Sequence, residues 1–200
     1  MKKIASLFAF IAVGFANYAS ATMITNNSGF DGEDTLVTFD EIVMANGTTI
    51  TNQFTPYGVT FNPNLVSENF RTTSGFSGQS TANFNPNVNP FSILFTQTID
   101  AFGAYWESDI SNTLTFDAYL GSTLVESFNF TEPSCCSTGT FLGFADISFD
   151  SVQVSTTGSG NLIMDNLQYS PTASVPEPAS LALLGLGLAG IGFSRKKKTA

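Results

Sequence analysis

Apolar and polar residues alternate over short distances through most of the chain. In residues 113–120, Leu114, Phe116 and Ala118 fall on one face and polar residues on the other, a period of two that is typical of a half-buried β-strand. Similar runs, bounded by Gly, Asn, Pro and Asp, continue from residue 35, and no long helical pattern interrupts them. We predict ten strands, at 36–41, 48–54, 58–62, 92–98, 101–107, 113–120, 123–130, 141–149, 151–156 and 161–169.

This succession of short strands predicts an all-β fold, a jelly-roll-like β-sandwich, over residues 22–170. The 20 phenylalanines of the chain supply the apolar area that such a core needs. Between residues 64 and 90, Ser, Thr, Asn, Gly and Pro dominate, which predicts a long surface segment. That segment is either functional or an excursion held down by its own phenylalanines.

The first residues have the pattern of a secretion signal. Lys2 and Lys3 precede an apolar run at residues 4–15, and Ala19 and Ala21 provide the small side chains of a cleavage site. The apolar run is shorter than the roughly 20 residues that a membrane-spanning helix requires. We predict a signal peptide at residues 1–21, removed by signal peptidase after Ala21.

The last residues predict a second, different targeting segment. A polar linker at 171–178 leads into an apolar stretch at 179–193 and a basic cluster at 195–198. As a helix that stretch is about 22 Å long, short of a hydrocarbon layer of about 30 Å. We predict a short C-terminal transmembrane helix within a tail at 179–200, which holds the protein transiently in the inner membrane with its basic end in the cytoplasm.

The tail resembles a known sorting signal. Val175, Pro176, Glu177 and Pro178, the apolar helix and the basic stop formed by Arg195, Lys196, Lys197 and Lys198 follow in the order of the PEP-CTERM signal of Gram-negative bacteria. The resemblance implies an exosortase that cuts near the motif, in bacteria that make extracellular polysaccharide and biofilm. It also implies a protein that is membrane-anchored before processing and lies in the periplasm, at the cell surface or outside the cell afterwards. The same tail is known as an ice-binding protein C-terminal motif, which is no evidence of ice binding.

The net charge of the domain between the two targeting segments limits the kinds of partner that it can bind. Fifteen acidic residues and one basic residue, Arg71, lie between Thr22 and Val175, giving a net charge of about −14. Such a surface repels phosphate, so nucleic acid and anionic lipid are poor partners for it, and we expect no nucleic acid partner. The chain has no histidine and so lacks the usual general base near neutral pH and the commonest zinc ligand.

The only cysteines, Cys135 and Cys136, are adjacent. Neighbouring Cα atoms are about 3.8 Å apart, below the usual disulfide range of about 4.4 to 6.8 Å, so a bond between them closes a strained ring. In an oxidising compartment three states compete: a vicinal disulfide, bridges to another chain and two free thiols. We favour the vicinal disulfide.

The first and last strands of the domain carry paired polar residues. Asp40 and Glu41 end the segment 37–41, and Asp165 lies within 163–167. With the Gly-Val-Thr-Phe sequence at 58–61, these segments resemble galactose-binding-like jelly rolls. The resemblance implies a structural Ca²⁺ held near both ends of the domain by Asp40, Glu41 and Asp165. In the alternative, these residues cap turns at strand ends.

Exposed aromatic residues beside polar ones are the usual platform for a sugar ring, and Tyr105, Trp106 and Tyr119 are the candidates. Trp106, the only tryptophan, has a core position as its alternative. Glycoside hydrolysis needs a pair of carboxylates, and no motif around Glu107, Asp109 and Asp117 indicates one. We therefore expect no enzyme, but a structural or adhesive component of the extracellular polysaccharide matrix; the alternatives are a lectin-like module with structural calcium and a glycan hydrolase.

Overall fold

A computed structural model describes residues 20–30, 34–63, 65–69, 73–84, 89–108, 113–131, 139–157 and 161–172. These residues form ten strands and two short 3₁₀-helices, Asn27–Gly29 and Thr55–Tyr57. The strands are β1 (Thr22–Ile24), β2 (Thr35–Val37), β3 (Val59–Asn62), β4 (Val66–Glu68), β5 (Ser80–Ala82), β6 (Phe91–Ser108), β7 (Thr113–Leu120), β8 (Thr123–Thr131), β9 (Thr140–Thr156) and β10 (Leu162–Pro171).

All of these strands belong to one continuous antiparallel sheet. Its main order is β4-β5-β10-β6-β9-β7-β8, while β1 pairs with β9, β2 with β10 and β3 with β6. β6 and β9 are 18 and 17 residues long and pair along most of their length. These two strands therefore form the spine of the sheet.

The spine bends in the middle, which folds the sheet into two layers. Pairing between β6 and β9 is regular up to Leu94 and Ser151, is interrupted, and resumes at Ile99 and Phe149. Such an irregularity bends a strand and increases its local twist. On one side of the bend β3 and β7 pair with the spine and β8 pairs with β7; on the other side β1 and β10 pair with the spine, and β2, β5 and β4 extend the layer from β10. We call the first group the open half and the second the covered half.

The core lies between these two halves. Phe102 of the covered half contacts Phe116 of the open half, with 6.1 Å between ring centroids, and Phe144 stacks on Phe128 at 5.2 Å. Trp106 is fully buried beside Phe116. Because aromatic rings bury large apolar areas, this interlayer cluster accounts for the apolar core that a sandwich requires. The prediction of an all-β, jelly-roll-like β-sandwich is confirmed.

Several strand boundaries differ from the prediction. The predicted pairs 92–98 with 101–107, and 141–149 with 151–156, are single bent strands, β6 and β9. The predicted strand 48–54 is wrong, because only Thr49 makes an isolated bridge, to Val66. β1, β4 and β5 were not predicted.

The segment predicted to run over the surface is partly buried. β4 and β5 lie within it, and Phe76 packs into a second apolar cluster with Val66, Ala82 and Ile163. Residues 73–79, which we call the strap, cross the outward side of the covered half. At its start Thr73 donates a hydrogen bond to Glu107 and the Ser74 carbonyl accepts one from the Gly139 N–H. The outward side of β4, β5 and the adjoining parts of β6 and β10 is thus buried, whereas Met23 of β1 and Leu36 of β2 stay exposed.

Candidate binding face and acidic site

The three residues predicted as calcium ligands lie near the strap, but with different exposure: Asp165 is buried, Glu41 is half-buried and Asp40 is exposed. Asp165 is fully buried on β10, at the point where the pairing of β10 with β6 becomes irregular. Its Oδ2 accepts a hydrogen bond from the Ser77 N–H at 3.0 Å and its Oδ1 one from the Asn166 N–H at 2.7 Å. Asp40 and Glu41, more than 120 positions earlier in the chain, are close enough to repel its charge.

The electrostatic state of Asp165 follows from this position. Burial raises the pKa of its carboxyl from 3.8 to about 7. The two backbone hydrogen bonds act in the opposite direction because they favour the carboxylate, and the charges of Asp40 and Glu41 raise the pKa further. A cation here would be bound by carboxylates that otherwise repel one another.

Asp40 and Glu41 are held by a tight turn after β2. Asp40 Oδ1 accepts the Gln79 N–H at 2.7 Å, and Gly78 approaches so closely that a Cβ there would overlap the carboxylate. Glu41 Oε1 accepts hydrogen bonds from the N–H and the hydroxyl of Thr38, at 2.7 and 3.0 Å. Glu41 Oε2 is buried and accepts no hydrogen bond from the residues that the structure describes.

Gln79 fixes this turn, and sequence reasoning did not identify it. Its Nε2 donates to the carbonyls of Phe39 and Ile42, at 2.8 and 2.6 Å, and its Oε1 accepts the Met44 N–H at 2.6 Å. Phe39 has a φ of 61°, which a non-glycine residue adopts only when its surroundings enforce it. The buried amide of Gln79 therefore positions both predicted ligands that follow Phe39.

The donor atoms of the site are of the type that Ca²⁺ prefers. Ca²⁺ takes hard oxygen ligands, and Glu41 Oε2 is a buried acceptor of that kind whose hydrogen-bonding capacity is unused by the described residues. Among those same residues no three Asp, Glu, His or Cys side chains converge as the ligands of one metal ion do. Asp40, Glu41 and Asp165 would have to move closer together to share an ion.

The three residues predicted as sugar contacts lie in three different environments. Trp106 is wrong as a sugar contact, because its ring is fully buried and its Nε1 donates to the Leu142 carbonyl at 3.2 Å. Tyr105 lies on the outward side of the covered half, against the ring of Phe141 at 5.1 Å, and Gly75 of the strap rests on its ring. Only Tyr119 stands on an uncovered surface.

Tyr119 belongs to a broad polar surface on the outward side of the open half, which we call the open face. Strand pairing aligns five of its side chains in one row across five strands, because paired residues project from the same side of a sheet. All five are exposed or half-buried: Ser127, Asp117, Gln153, Ser92 and Asn62. Tyr119 lies in the next row, between Leu124 of β8 and Ser151 of β9.

Hydrogen bonds order the polar groups of the open face. The Ser127 hydroxyl donates to Asp117 at 2.5 Å, and the Thr115 hydroxyl donates to Asn129 at 2.6 Å. The alternation in β7 indicated this outward set, but sequence reasoning did not identify Gln153 and Asn129 as its members. Their signal was the same period of two in β8 and in the second half of β9.

A cleft of about 400 Å³ adjoins the open face at the bend of the spine. It is lined by Leu94, Phe95, Thr96, Gln97, Thr98 and Asp150. Asp150 accepts the Gly121 N–H at 2.8 Å, which fixes its carboxylate beside the turn between β7 and β8. Leu94 shares a row with Tyr119, two strand spacings or about 10 Å away. The ring and the cleft are therefore neighbours on one surface.

Several predicted residues lie outside the described part of the chain: Ala19, the cysteines Cys135 and Cys136, the motif at 175–178 and the basic cluster at 195–198. Ala21, the other residue of the predicted cleavage site, is half-buried against the core. The described residues include no helix that is long and apolar enough to span a membrane. The signal peptide, the disulfide and the transmembrane tail stay predictions.

Comparison with known proteins settles the nature of the C-terminal segment. A family model described as the PEP-CTERM protein-sorting motif matches residues 174–196. The chain carries a PEP-CTERM sorting motif. The motif indicates an exported protein that is anchored in the membrane and then processed.

Further comparisons add only distant likenesses. No curated protein matches the sequence. Among solved structures the chain is similar to family 29 carbohydrate-binding modules. One is an arginine mutant of CBM29-2 (12% identity, TM-score 0.33, covering 80% of this chain and 99% of that chain), and another is an aspartate mutant complexed with mannohexaose (12%, 0.32, 76% and 92%). At these TM-scores the likeness carries no argument about function.

Proposed function

We propose that this exported PEP-CTERM protein is a non-catalytic component of the extracellular polysaccharide matrix and binds neutral carbohydrate chains through its open face. The observation that carries the proposal is the position of Tyr119 beside a row of polar side chains that crosses five strands. A sugar ring presents an apolar face that stacks on an aromatic ring and hydroxyls that need hydrogen-bonding partners. The open face offers both.

The shape of the open face favours an extended ligand. Five strands at about 4.8 Å spacing make the row about 19 Å long, and the cleft continues the surface beside it. A flat surface of this length suits adhesion to a polymer better than capture of one small molecule, which a concave and mainly apolar pocket would favour.

The negative charge of the open face and of the whole domain favours neutral polysaccharides over acidic ones. Asp117 and Asp150 are the acidic groups of the open face and its cleft, and the domain carries about fourteen net negative charges. An acidic polysaccharide would be repelled unless cations bridged it. Neutral chains bring no such penalty.

Two of the three carboxylates considered for hydrolysis, Glu107 and Asp117, do not support an enzyme; Asp109 lies outside the described residues. Glu107 is buried on the covered half, where Thr73 of the strap donates to it. Asp117 lies on the open face and bonds Ser127. A glycosidase needs two carboxylates that flank one bond, and these two belong to opposite outward sides of the sandwich.

Binding to a panel of neutral polysaccharides, with and without Tyr119, tests this function. We expect Tyr119→Ala to weaken binding about tenfold or more, as loss of a central aromatic contact does. Tyr119→Phe, which keeps the ring, should retain most of the affinity. Binding that is equal in wild type and Tyr119→Ala, or no binding to any neutral polymer, would reject the open face as the site.

We also propose that Asp40, Glu41 and Asp165 hold a structural Ca²⁺. The buried and unused Glu41 Oε2 supports this site, and so does the repulsion of Asp165 by Asp40 and Glu41, which a cation would relieve on displacing the proton of Asp165. The ion would neutralise three carboxylates and bring together the turn after β2 and the middle of β10. At about 100 times its Kd, a ligand of the folded state adds about 2.7 kcal/mol to the free energy of unfolding.

Melting temperatures in Ca²⁺ and in EDTA test the calcium site. We expect Ca²⁺ to raise the melting temperature of the wild type and of Asp150→Ala, the matched change of an acidic residue outside the site. Asp165→Ala should show no such rise. An unchanged rise in Asp165→Ala would remove that residue from the site.

A further inference from the structure

The strand β8 leaves an open edge. It is the last strand of the sheet, and among the described residues it pairs only with β7. Its nine residues extend over about 30 Å. The Ser127 N–H donates to the carboxylate of the neighbouring Glu126 at 3.2 Å rather than to a strand, which places it on the side away from β7. Alternate residues share this direction, so Asn129 and Thr131 also offer backbone groups to the open side.

The composition of β8 gives this edge little protection apart from Glu126 and one bulge. Natural edge strands avoid pairing through prolines, lysines, short length or bulges. β8 contains no proline, glycine or lysine, and Glu126 is its only charged residue in a domain with fifteen acidic ones. One irregularity interrupts its pairing with β7, between Glu126 and Leu124. The six residues from Glu126 to Thr131 are therefore free to pair with another strand.

Pairing along this edge would also bury apolar side chains of β8 that are exposed in the single chain. Leu124 is 51% exposed and Val125 38% exposed. Phe128 and Phe130 face the core but remain half-buried, because β8 is the rim of its layer. A further strand beside β8 would continue the layer and cover both rings. The hydrophobic gain would add to the backbone hydrogen bonds.

The opposite end of the sheet is closed by the chain itself. β4 is only three residues long, and the segment before it completes its hydrogen bonds: the Gly47 N–H donates to the Ser67 carbonyl and the Ser67 N–H to the Thr48 carbonyl, both at 2.8 Å. An edge that is short and covered cannot pair with a partner. β8 is thus the long open edge in the part of the chain that the structure describes.

We propose that β8 is a self-association surface, on which two copies of this chain pair antiparallel about a two-fold axis near Phe128. An antiparallel edge is complementary to itself, so a second copy provides the same open backbone groups and the same phenylalanines. In this register Ser127 lies opposite Asn129, and Glu126 lies opposite Phe130 rather than opposite another acidic side chain. Because so little of the domain charge lies on β8, repulsion between the copies is least along this edge.

Charge-swapped variants test the pairing. In Ser127→Lys/Asn129→Lys, each lysine of one copy would face a lysine of the other, and Ser127→Glu/Asn129→Glu would place glutamates opposite one another. By light scattering on the full chain in detergent, we expect the wild type to be dimeric, each variant alone to be monomeric, and an equal mixture of the two to form dimers again. Val43→Lys, at a residue 92% exposed and away from β8, is the matched control and should stay dimeric.

Each other outcome overturns the proposal. A monomeric wild type would show that the edge does not pair between copies of this chain. Dimers of both charged variants alone would place the interface elsewhere, for example in the C-terminal tail. Variants that stay monomeric when mixed, while their circular dichroism matches that of the wild type, would reject β8–β8 pairing as the cause.

Discussion

The two halves of the sandwich are built on the same two strands, yet their outward sides have opposite character. On the open half, Asp117, Gln153 and Ser127 face solvent and no described segment crosses them. On the covered half, the strap buries Asp165 and Glu107 together with Ile163. The comparison teaches that one sheet can carry two different outward surfaces: the covered side holds carboxyl groups in a fixed, buried place, and the open side exposes polar side chains to solvent.

The sequences of the spine strands record this difference. In β6 the stretch 101–106 is almost continuously apolar, as expected for a segment buried on both sides, and in β9 the stretch 151–156 alternates, as expected for one buried side. The change of pattern within each strand therefore marks the place where the sheet passes from one buried side to two, its outward side being covered by the strap and by the rings of Phe30 and Phe141. The following predictions test how far the two sides differ.

The largest expected effect is the pH dependence that Asp165 gives to the covered half. Because its pKa is about 7 in the folded state and about 3.9 in the unfolded state, the folded protein holds an extra proton between those values. The free energy of unfolding should therefore fall as pH rises from about 4 to about 7, by on the order of 4 kcal/mol, and level off above pH 7. Urea unfolding of protein freed of Ca²⁺ beforehand by EDTA at neutral pH and then dialysed into Ca²⁺-free buffers measures this slope.

The variant Asp165→Asn isolates that contribution. It should flatten the slope, whereas Asp150→Asn, the matched change beside the open face, should leave it unchanged. Burial also raises the pKa of Asp100, so part of the slope persists in every variant, and the difference between wild type and Asp165→Asn is the quantity to measure. Equal slopes in the two would mean that Asp165 is already ionised at low pH.

The second effect concerns the apolar anchor of the strap. Phe76 is 5% exposed, and Phe76→Ala should lower the free energy of unfolding by about 3 kcal/mol through lost burial and the cavity left behind. Chemical denaturation gives the value. A loss below about 1 kcal/mol would show that the strap lies on the covered half without stabilising it.

The general fold was predictable from the sequence, but its covered side was not. β7 was recognised because Leu114, Phe116 and Ala118 alternate with polar residues. β4 and β5 were missed because Ser67, Ser80 and Thr81 are polar and yet buried. The Ser67 hydroxyl bonds the Ala45 carbonyl and the Ser80 hydroxyl bonds Glu68. Partners of this kind come from distant segments and leave no periodic signal.

The candidate sites were predictable to different degrees. Asp40, Glu41 and Asp165 were grouped by a resemblance to known jelly rolls, and the structure places Asp165 beneath the strap and Asp40 beside it, against Gly78 and Gln79. Gln79, which fixes the turn that holds Asp40 and Glu41, had no signal, because a buried glutamine in a Ser- and Gly-rich segment looks like a surface residue. Trp106 was wrong as a sugar contact because it projects into the core between the two layers, beside Phe116. Tyr105 projects outward, but a strand pattern alone does not tell which outward positions another segment covers, and the strap covers this one.

A third and smaller effect distinguishes two glycines with positive φ. Gly78 (φ 73°) lies against the Asp40 carboxylate in the strap, whereas Gly121 (φ 61°) lies in the turn between β7 and β8 with open space around it. Gly121→Ala should cost about 1 kcal/mol from backbone strain alone, and Gly78→Ala about 2 to 3 kcal/mol because the methyl group also displaces Asp40. If chemical denaturation gives the same loss of stability for Gly78→Ala and Gly121→Ala, the strap can move away from Asp40 at no cost.

The smallest effect on stability is expected on the open face. Tyr119 is half-buried beside Leu124, and nothing described covers its ring, so Tyr119→Ala should change the free energy of unfolding by about 0.5 kcal/mol or less. The same change should weaken polysaccharide binding about tenfold. Denaturation and binding measured on one preparation test the pair of values together. A large loss of stability would make Tyr119 a structural residue like Phe76, and the two outward sides would then differ in polarity but not in task.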